Sequence, residues 1–395
     1  MIKLKVLFIL KKRTEPYFSG DCGNDYGYTK SPGLKNSARL VSEMLNRNGI
    51  ESKIVDVIDN NSIDKEVTLY KPTHVIIEAL WVTPEKFDVL QKLHKNVKWI
   101  VRIHSKLAFL SNEGVAIGWL YKYLDYKNVY IAFNSHEMTN IFISLFANKK
   151  KILYLPNYYP ATFDDRYWTQ PKNTIKIGCF GAIRPLKNQL IQAIAAIEYA
   201  KKTNKNLEFH INSSRIEGFS AKGIIKNIRS VFSALDQNKF KLVEHSWLEN
   251  EKFIDVLRKM DILLQVSYSE TFNIVAADAV SNGIPIVVSK EISWAHPLYY
   301  ADPNSVYEIM DKIDMSLFLK KLNRILSKLL DLNWIKLNTF SNTSRTQWLK
   351  TLDCKKIHCT CKKEDKEDKK SENKKKDEEK KEKIKKDKRR RNYKF

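Results

Sequence analysis

Short apolar runs rich in Val, Ile and Leu alternate with stretches of helical period along nearly the whole chain. Few architectures accept that rhythm. A strand buried on both faces reads as an unbroken apolar run, and joining two such strands in parallel requires a crossover, usually a helix. The pattern predicts α/β layers built on parallel sheets, not a sandwich or a helical bundle. Strands are expected over 5–10, 53–57, 74–78, 99–103, 129–133 and 152–155, then over 175–180, 208–211, 241–245, 262–266 and 285–289. Helices are expected over 188–202, 249–260 and 272–281. In SARLVSEMLNRNG, Leu40, Val41, Met44 and Leu45 fall on one helical face and Gly49 supplies the stop.

The segment LPNYYPATFDDRYWTQPKN, with Pro156, Pro160 and Pro171, breaks both periods and marks a boundary. The expected organisation is a first Rossmann-like domain over 1–160, a second over 172–330, a closing helical segment over 331–353 with Ser341 as a helix cap, and a charged tail over 354–395. Two consecutive units of this kind place the C-terminal ends of both sheets around one cleft, where open α/β sheets bind ligands.

Charge separates body from tail. Residues 355–395 carry 20 basic and 10 acidic side chains with almost nothing to bury, so a disordered, solvated appendage is expected. The remainder of the chain is basic as well. The basic surface and tail leave peripheral contact with an anionic membrane or nucleic acid open, although interleaved acids weaken any polyanion reading. Five cysteines are too few and too clustered for a secreted framework of 395 residues, which points to a reducing, cytoplasmic setting. No apolar run reaches the length of a membrane span, and the N-terminal run reads as a first strand. Cys354, His358, Cys359 and Cys361 offer metal-ligand types, but their spacing fits no common zinc knuckle, and no metal is expected.

The most informative stretch is SYSETFNIVAADAVSNGIPIVVS, 267–289. A buried strand runs into Glu270; a helix then opens near Phe272 and carries Asp278 eight residues on, a rise of about 12 Å. Carboxylates that far apart cannot share one proton. They suit two ends of a long ligand, with the Phe272, Asn273 and Ile274 amides offering donors to phosphate between them. In TIKIGCFGAIRPLKNQ, Gly178 and Gly181 bracket a strand end, and Arg184 and Lys187 follow as cations suited to a diphosphate. A nucleotide sugar has this layout of hexose, diphosphate and ribose.

Residues 175–289 resemble the donor half of glycosyltransferase family 4, whose enzymes have the GT-B fold. The family pattern of a glutamate, seven residues and a second acid stands here as Glu270, Phe272, Asp278, Ala279, Gly283, Pro285 and Val287. The resemblance implies that Glu270 contacts sugar hydroxyls, that Asp278 holds the ribose and that Arg184 and Lys187 clamp the diphosphate. It implies a looser match in the first half: Gly33 as the glycine of the loop against the donor phosphate, and His104 at a strand end touching the transferred sugar. It also implies hexose transfer to an acceptor hydroxyl of a glycan, lipid or protein, with retention of anomeric configuration and no cofactor beyond the nucleotide-sugar donor.

The chain departs from that pattern at Asp278, where the family has Glu, at Asn273, commonly Gly, and at Ala182, where an Arg often follows the glycine. Two alternatives stay open, a non-catalytic nucleotide-sugar-binding module and a nucleic-acid-modifying glucosyltransferase. A nicotinamide oxidoreductase is disfavoured because no GxGxxG follows the first strand. Glu78 reads first as a structural acid, and Trp247 as an exposed loop aromatic.

Overall fold

The computed structural model describes residues 3–12, 32–164, 168–169, 171, 173–217, 221–325 and 331–352. The tail with its Cys354 cluster, and most of the long loop before Gly33, lie outside the described residues.

In chain order the elements are β1 (Lys5–Lys11), α1 (Pro32–Arg47), β2 (Glu51–Val57), α2 (Ser62–Tyr70), β3 (His74–Glu78), α3 (Phe87–Leu93), β4 (Lys98–Ile103), α4 (Leu107–Leu110), α5 (Ala116–Asp125), β5 (Val129–Phe133), α6 (His136–Leu145) and β6 (Ile152–Tyr154). They continue with β7 (Thr174–Cys179), α7 (Gln189–Lys202), β8 (Asn206–Asn212), α8 (Ala221–Ser233), β9 (Phe240–His245), α9 (Asn250–Leu257), β10 (Ile262–Gln265), α10 (Ile274–Ser281), β11 (Ile286–Val288), α11 (Val306–Ile325) and α12 (Leu332–Leu352). No described helix is long and apolar enough to cross a membrane.

The strands form two parallel sheets, one of order β2-β1-β3-β4-β5-β6 and one of order β11-β10-β7-β8-β9. Both lie in the compact unit Met1–Arg345. The architecture is α/β with two Rossmann-like sheets, the arrangement of the GT-B fold. The central strands β1 and β3 run as VLFIL and HVIIE and are buried along those lengths, as the middle of a doubly covered sheet requires. Separate apolar cores serve the two sheets: Trp99, Phe87 and Tyr123 help fill the first, and Phe209, Phe232 and Ile177 the second.

Chain order reverses direction in the second sheet between β7 and β10, which pair as neighbours with Ile262 opposite Ile177. Strands diverge topologically there, and the loops leaving their C-terminal ends part to leave a crevice. The loop after β7 holds Gly181, Arg184 and Lys187; the loop after β10 holds Glu270. Two distant stretches of sequence are thus delivered to one place by strand order alone.

Ser341 is not a helix cap. It sits midway along α12, where its hydroxyl donates to the Tyr159 carbonyl. The helix starts nine residues earlier because Asp331 accepts from the Trp334 amide at 3.0 Å. Helix α10 also opens later than expected, at Ile274, with Asn273 as its cap.

Candidate active site

Glu270 lies where the β10 loop turns into α10, and it is held from three directions. Lys187 forms an ion pair with it, Asn273 donates to it at 3.2 Å, and the Thr271 amide donates at 3.2 Å. Burial pushes the Glu270 carboxyl up, but the Lys187 and Arg184 charges outweigh that and hold it below the usual carboxylate range. The group is ionised at neutral pH.

Asn273 explains its own presence where a glycine is common. Its φ of +60° lies in the left-handed region, which Asn tolerates better than most residues. Its side chain caps α10 by accepting from the Ala276 amide at 2.9 Å and donates to Gln265 at 2.8 Å. The amides of Phe272, Asn273 and Ile274 make no hydrogen bond among the described residues, so the helix start presents free donors beside Glu270. The Phe272 ring itself is a packing anchor, 2% exposed and stacked on Phe340 at 5.3 Å.

Across the crevice, Lys187 ends a 3-10 turn, Pro185–Lys187, that follows Gly181. Gly181 has φ +123°, closed to other residues without strain, and its amide donates to Asn212 at 3.0 Å. Arg184 lies 3.4 Å from Glu217 and places its guanidinium over the Phe109 ring at 5.5 Å, so it reaches α4 beside the first sheet. Ala182, where an Arg is common, is buried, and a long cation has no outlet there. Arg215 pairs with Glu217 at 2.5 Å and lies over Trp247 at 4.7 Å; Trp247 is half-buried against it, not the exposed loop aromatic its position suggests.

The first sheet contributes a buried charge cluster. Arg102, fully buried, donates to Glu78 at 3.0 Å, to the carbonyls of Leu155 and Pro156 at 3.0 Å each, and to Asn157 at 2.8 Å. His104 also bonds Glu78 through Nε2. Burial raises the Glu78 carboxyl, and the Arg102 and His104 interactions overcome this and lower it. Burial, then Arg102, lowers His104. We therefore assign neutral His104 with its proton on Nε2, donating to an ionised Glu78, and with Nδ1 facing the Asn134 amide at 3.5 Å. The resemblance implies a sugar contact for His104; here both ring nitrogens face protein groups.

The second acid is enclosed and has a partner of its own. Asp278 is 5% exposed, and its carboxylate accepts from the Tyr159 hydroxyl at 2.7 Å. Burial pushes it up to about 7, against the smaller opposing effects of Tyr159 and Arg39. Its carboxyl faces Tyr159, on the segment between the sheets. Gly33 stands in the first turn of α1 with open space where a Cβ would be, so nothing described here packs against it. The structure thus brings Glu270, Lys187 and Arg184 together, with His104 close by through Thr271, and leaves Asp278 and Gly33 outside that group. Gln265, Thr271, Arg102 and Asn134 are residues around the site that no motif announces.

One consequence concerns pH. A carboxyl raised by folding costs stability once the unfolded chain ionises and the folded one does not, so the cost grows from about pH 4 to about 7. Asp278→Asn keeps an acceptor for Tyr159 and removes the charge. Its melting temperature is expected to exceed that of the wild type by a margin that widens over that range, measured by thermal unfolding at pH 4, 5.5, 7 and 8. A constant margin would show that the carboxyl is not buried in this way.

No family model matches this sequence, and no curated protein matches it. Solved structures do. A trehalose-6-phosphate synthase, OtsA, superposes with a TM-score of 0.64 at 10% identity, covering 88% of this chain and 99% of that one. A UDP-forming α,α-trehalose-phosphate synthase from Burkholderia xenovorans gives 0.59 at 12% identity, covering 88% and 98%. Anabaena HepE, solved with UDP and glucose, gives 0.55 at 12% identity, covering 89% and 100%. At such identities the likeness is one of fold, and the fold is GT-B.

Proposed function

We propose that the protein is a glycosyltransferase that moves a hexose from a nucleotide diphosphate sugar to an acceptor hydroxyl, of the family 4 kind. The observation that carries this reading is the meeting of Lys187, Arg184 and Glu270 at the crevice between β7 and β10, beside the unbonded amides that start α10. Two cations and a helix start suit a diphosphate, and a fixed, ionised carboxylate suits sugar hydroxyls. Similarity in fold to Anabaena HepE, solved with UDP, supports the same donor class.

On this reading the bond from the sugar anomeric carbon to the diphosphate oxygen breaks, and one to the acceptor oxygen forms. The acceptor proton passes to the departing diphosphate, which retention of configuration would accommodate without a protein nucleophile. Lys187 and Arg184 neutralise the charge that develops, work a metal ion does elsewhere, so no metal is required. Lys187 must exchange its partner from Glu270 to the diphosphate as donor binds.

Incubation with a panel of nucleotide sugars tests the proposal through release of free nucleoside diphosphate. Release from one donor is expected, and its absence across the panel would leave only a binding module. Lys187→Ala should weaken nucleoside diphosphate affinity about tenfold or more, the worth of one or two charge-assisted hydrogen bonds, read by calorimetry. Unchanged affinity would remove Lys187 from the diphosphate site.

A further inference from the structure

The residue between Glu270 and Phe272 bonds to the opposite lobe. The Thr271 hydroxyl accepts from the Asn134 side-chain amide at 3.0 Å and donates to the His104 carbonyl at 3.1 Å. Asn134 follows β5 and His104 follows β4, so both partners stand at C-terminal strand ends of the first sheet, whereas Thr271 follows β10 of the second. The same Asn134 amide donates to Asn157 at 3.2 Å, on the segment that Arg102 clips down. On the other side, the Thr271 amide donates to the Glu270 carboxylate. A second bond across the lobes joins Lys106 to Glu291 at 2.9 Å, which leaves Thr271 as the link that ends on the acid.

We propose that Thr271 is a positioning residue: its hydroxyl locks the Glu270 loop to the His104 and Asn134 strand ends, so that Glu270 is aligned when the lobes are together. The inference rests on the glycosyltransferase reading for its effect on turnover, but not for the lock itself. A threonine methyl and hydroxyl occupy nearly the volume of a valine, so Thr271→Val removes both bonds with little change in packing, and Thr271→Ser restores them. Alignment contributes to the reaction step more than to donor binding, because the Glu270–Lys187 pair and the α10 amides are left in place.

The test compares the full chain with Thr271→Val and Thr271→Ser in two measurements. Amide hydrogen exchange over residues 103–106 and 133–136 is expected to be about tenfold faster in the Val variant, the effect of two lost hydrogen bonds, and near wild type in the Ser variant. Unchanged exchange in the Val variant overturns the lock whatever the activity. With the donor identified, kcat should fall about tenfold in the Val variant, with donor KM within twofold of wild type and recovery in the Ser variant. A rise in KM at unchanged kcat overturns the positioning role. Absence of nucleotide release by the wild type, with faster exchange in the Val variant, defeats the glycosyltransferase reading and leaves the lock standing.

Discussion

Glu270→Ala is expected to lower nucleoside diphosphate release by about two to three orders of magnitude while the chain stays folded. Among the described residues, the substitution removes the one carboxylate that pairs with Lys187, and it leaves that ammonium largely enclosed, its side chain 12% exposed. It also frees Asn273 from one of its acceptors, although the cap on Ala276 persists. Loss of a preorganised charged contact at a reacting centre costs on this scale. Initial rates at saturating donor, with circular dichroism as the folding control, provide the measurement. Activity within threefold of wild type would remove Glu270 from the reaction.

Arg102→Met is expected to destabilise the fold by about 3–5 kcal/mol, the cost of leaving a buried charge without its partner. Glu78 is completely buried, and the guanidinium is its principal counter-charge. The same group satisfies the carbonyls of Leu155 and Pro156, where the chain leaves the first sheet. Urea unfolding at pH 7 measures the change, provided the slope of the transition is preserved. Pairing the variant with Glu78→Gln should recover part of the loss, because the orphaned charge is then gone. A penalty below about 1 kcal/mol, against the cost typical of broken buried pairs, would mean that water already reaches Glu78.

These two residues also mark the limits of what a sequence discloses. Glu270 and Lys187 could be picked out because each stands at a set offset from a strand end, and strand ends are legible as the last apolar residue of a run. Arg102 could not. It sits in WIVRI as a lone cation that would fit any sheet edge, and its meaning comes from pairing in register with Glu78 on the next parallel strand. Thr271 is hidden for the same reason, since its partners come from strands more than a hundred residues earlier. Asp278 is legible in position but not in its partner. Spacing fixes how far along α10 it lies, but not that the Tyr159 hydroxyl, more than a hundred residues earlier, reaches its carboxylate. Ser341 misled because a serine near an apolar run resembles a cap, whereas α12 had already begun at Leu332, behind Asp331.

Periodicity alone was enough to establish parallel α/β layering, two successive series of strands, and the pair of loops that carry opposite charges at strand ends, because those features depend on local burial and chain geometry. The tertiary structure decided which charges meet. It put Lys187 against Glu270, gave Asp278 to Tyr159, and joined His104 to Thr271. Side-chain pairing across crossovers follows strand order and helix rotation, and both are set by packing between elements far apart in the chain.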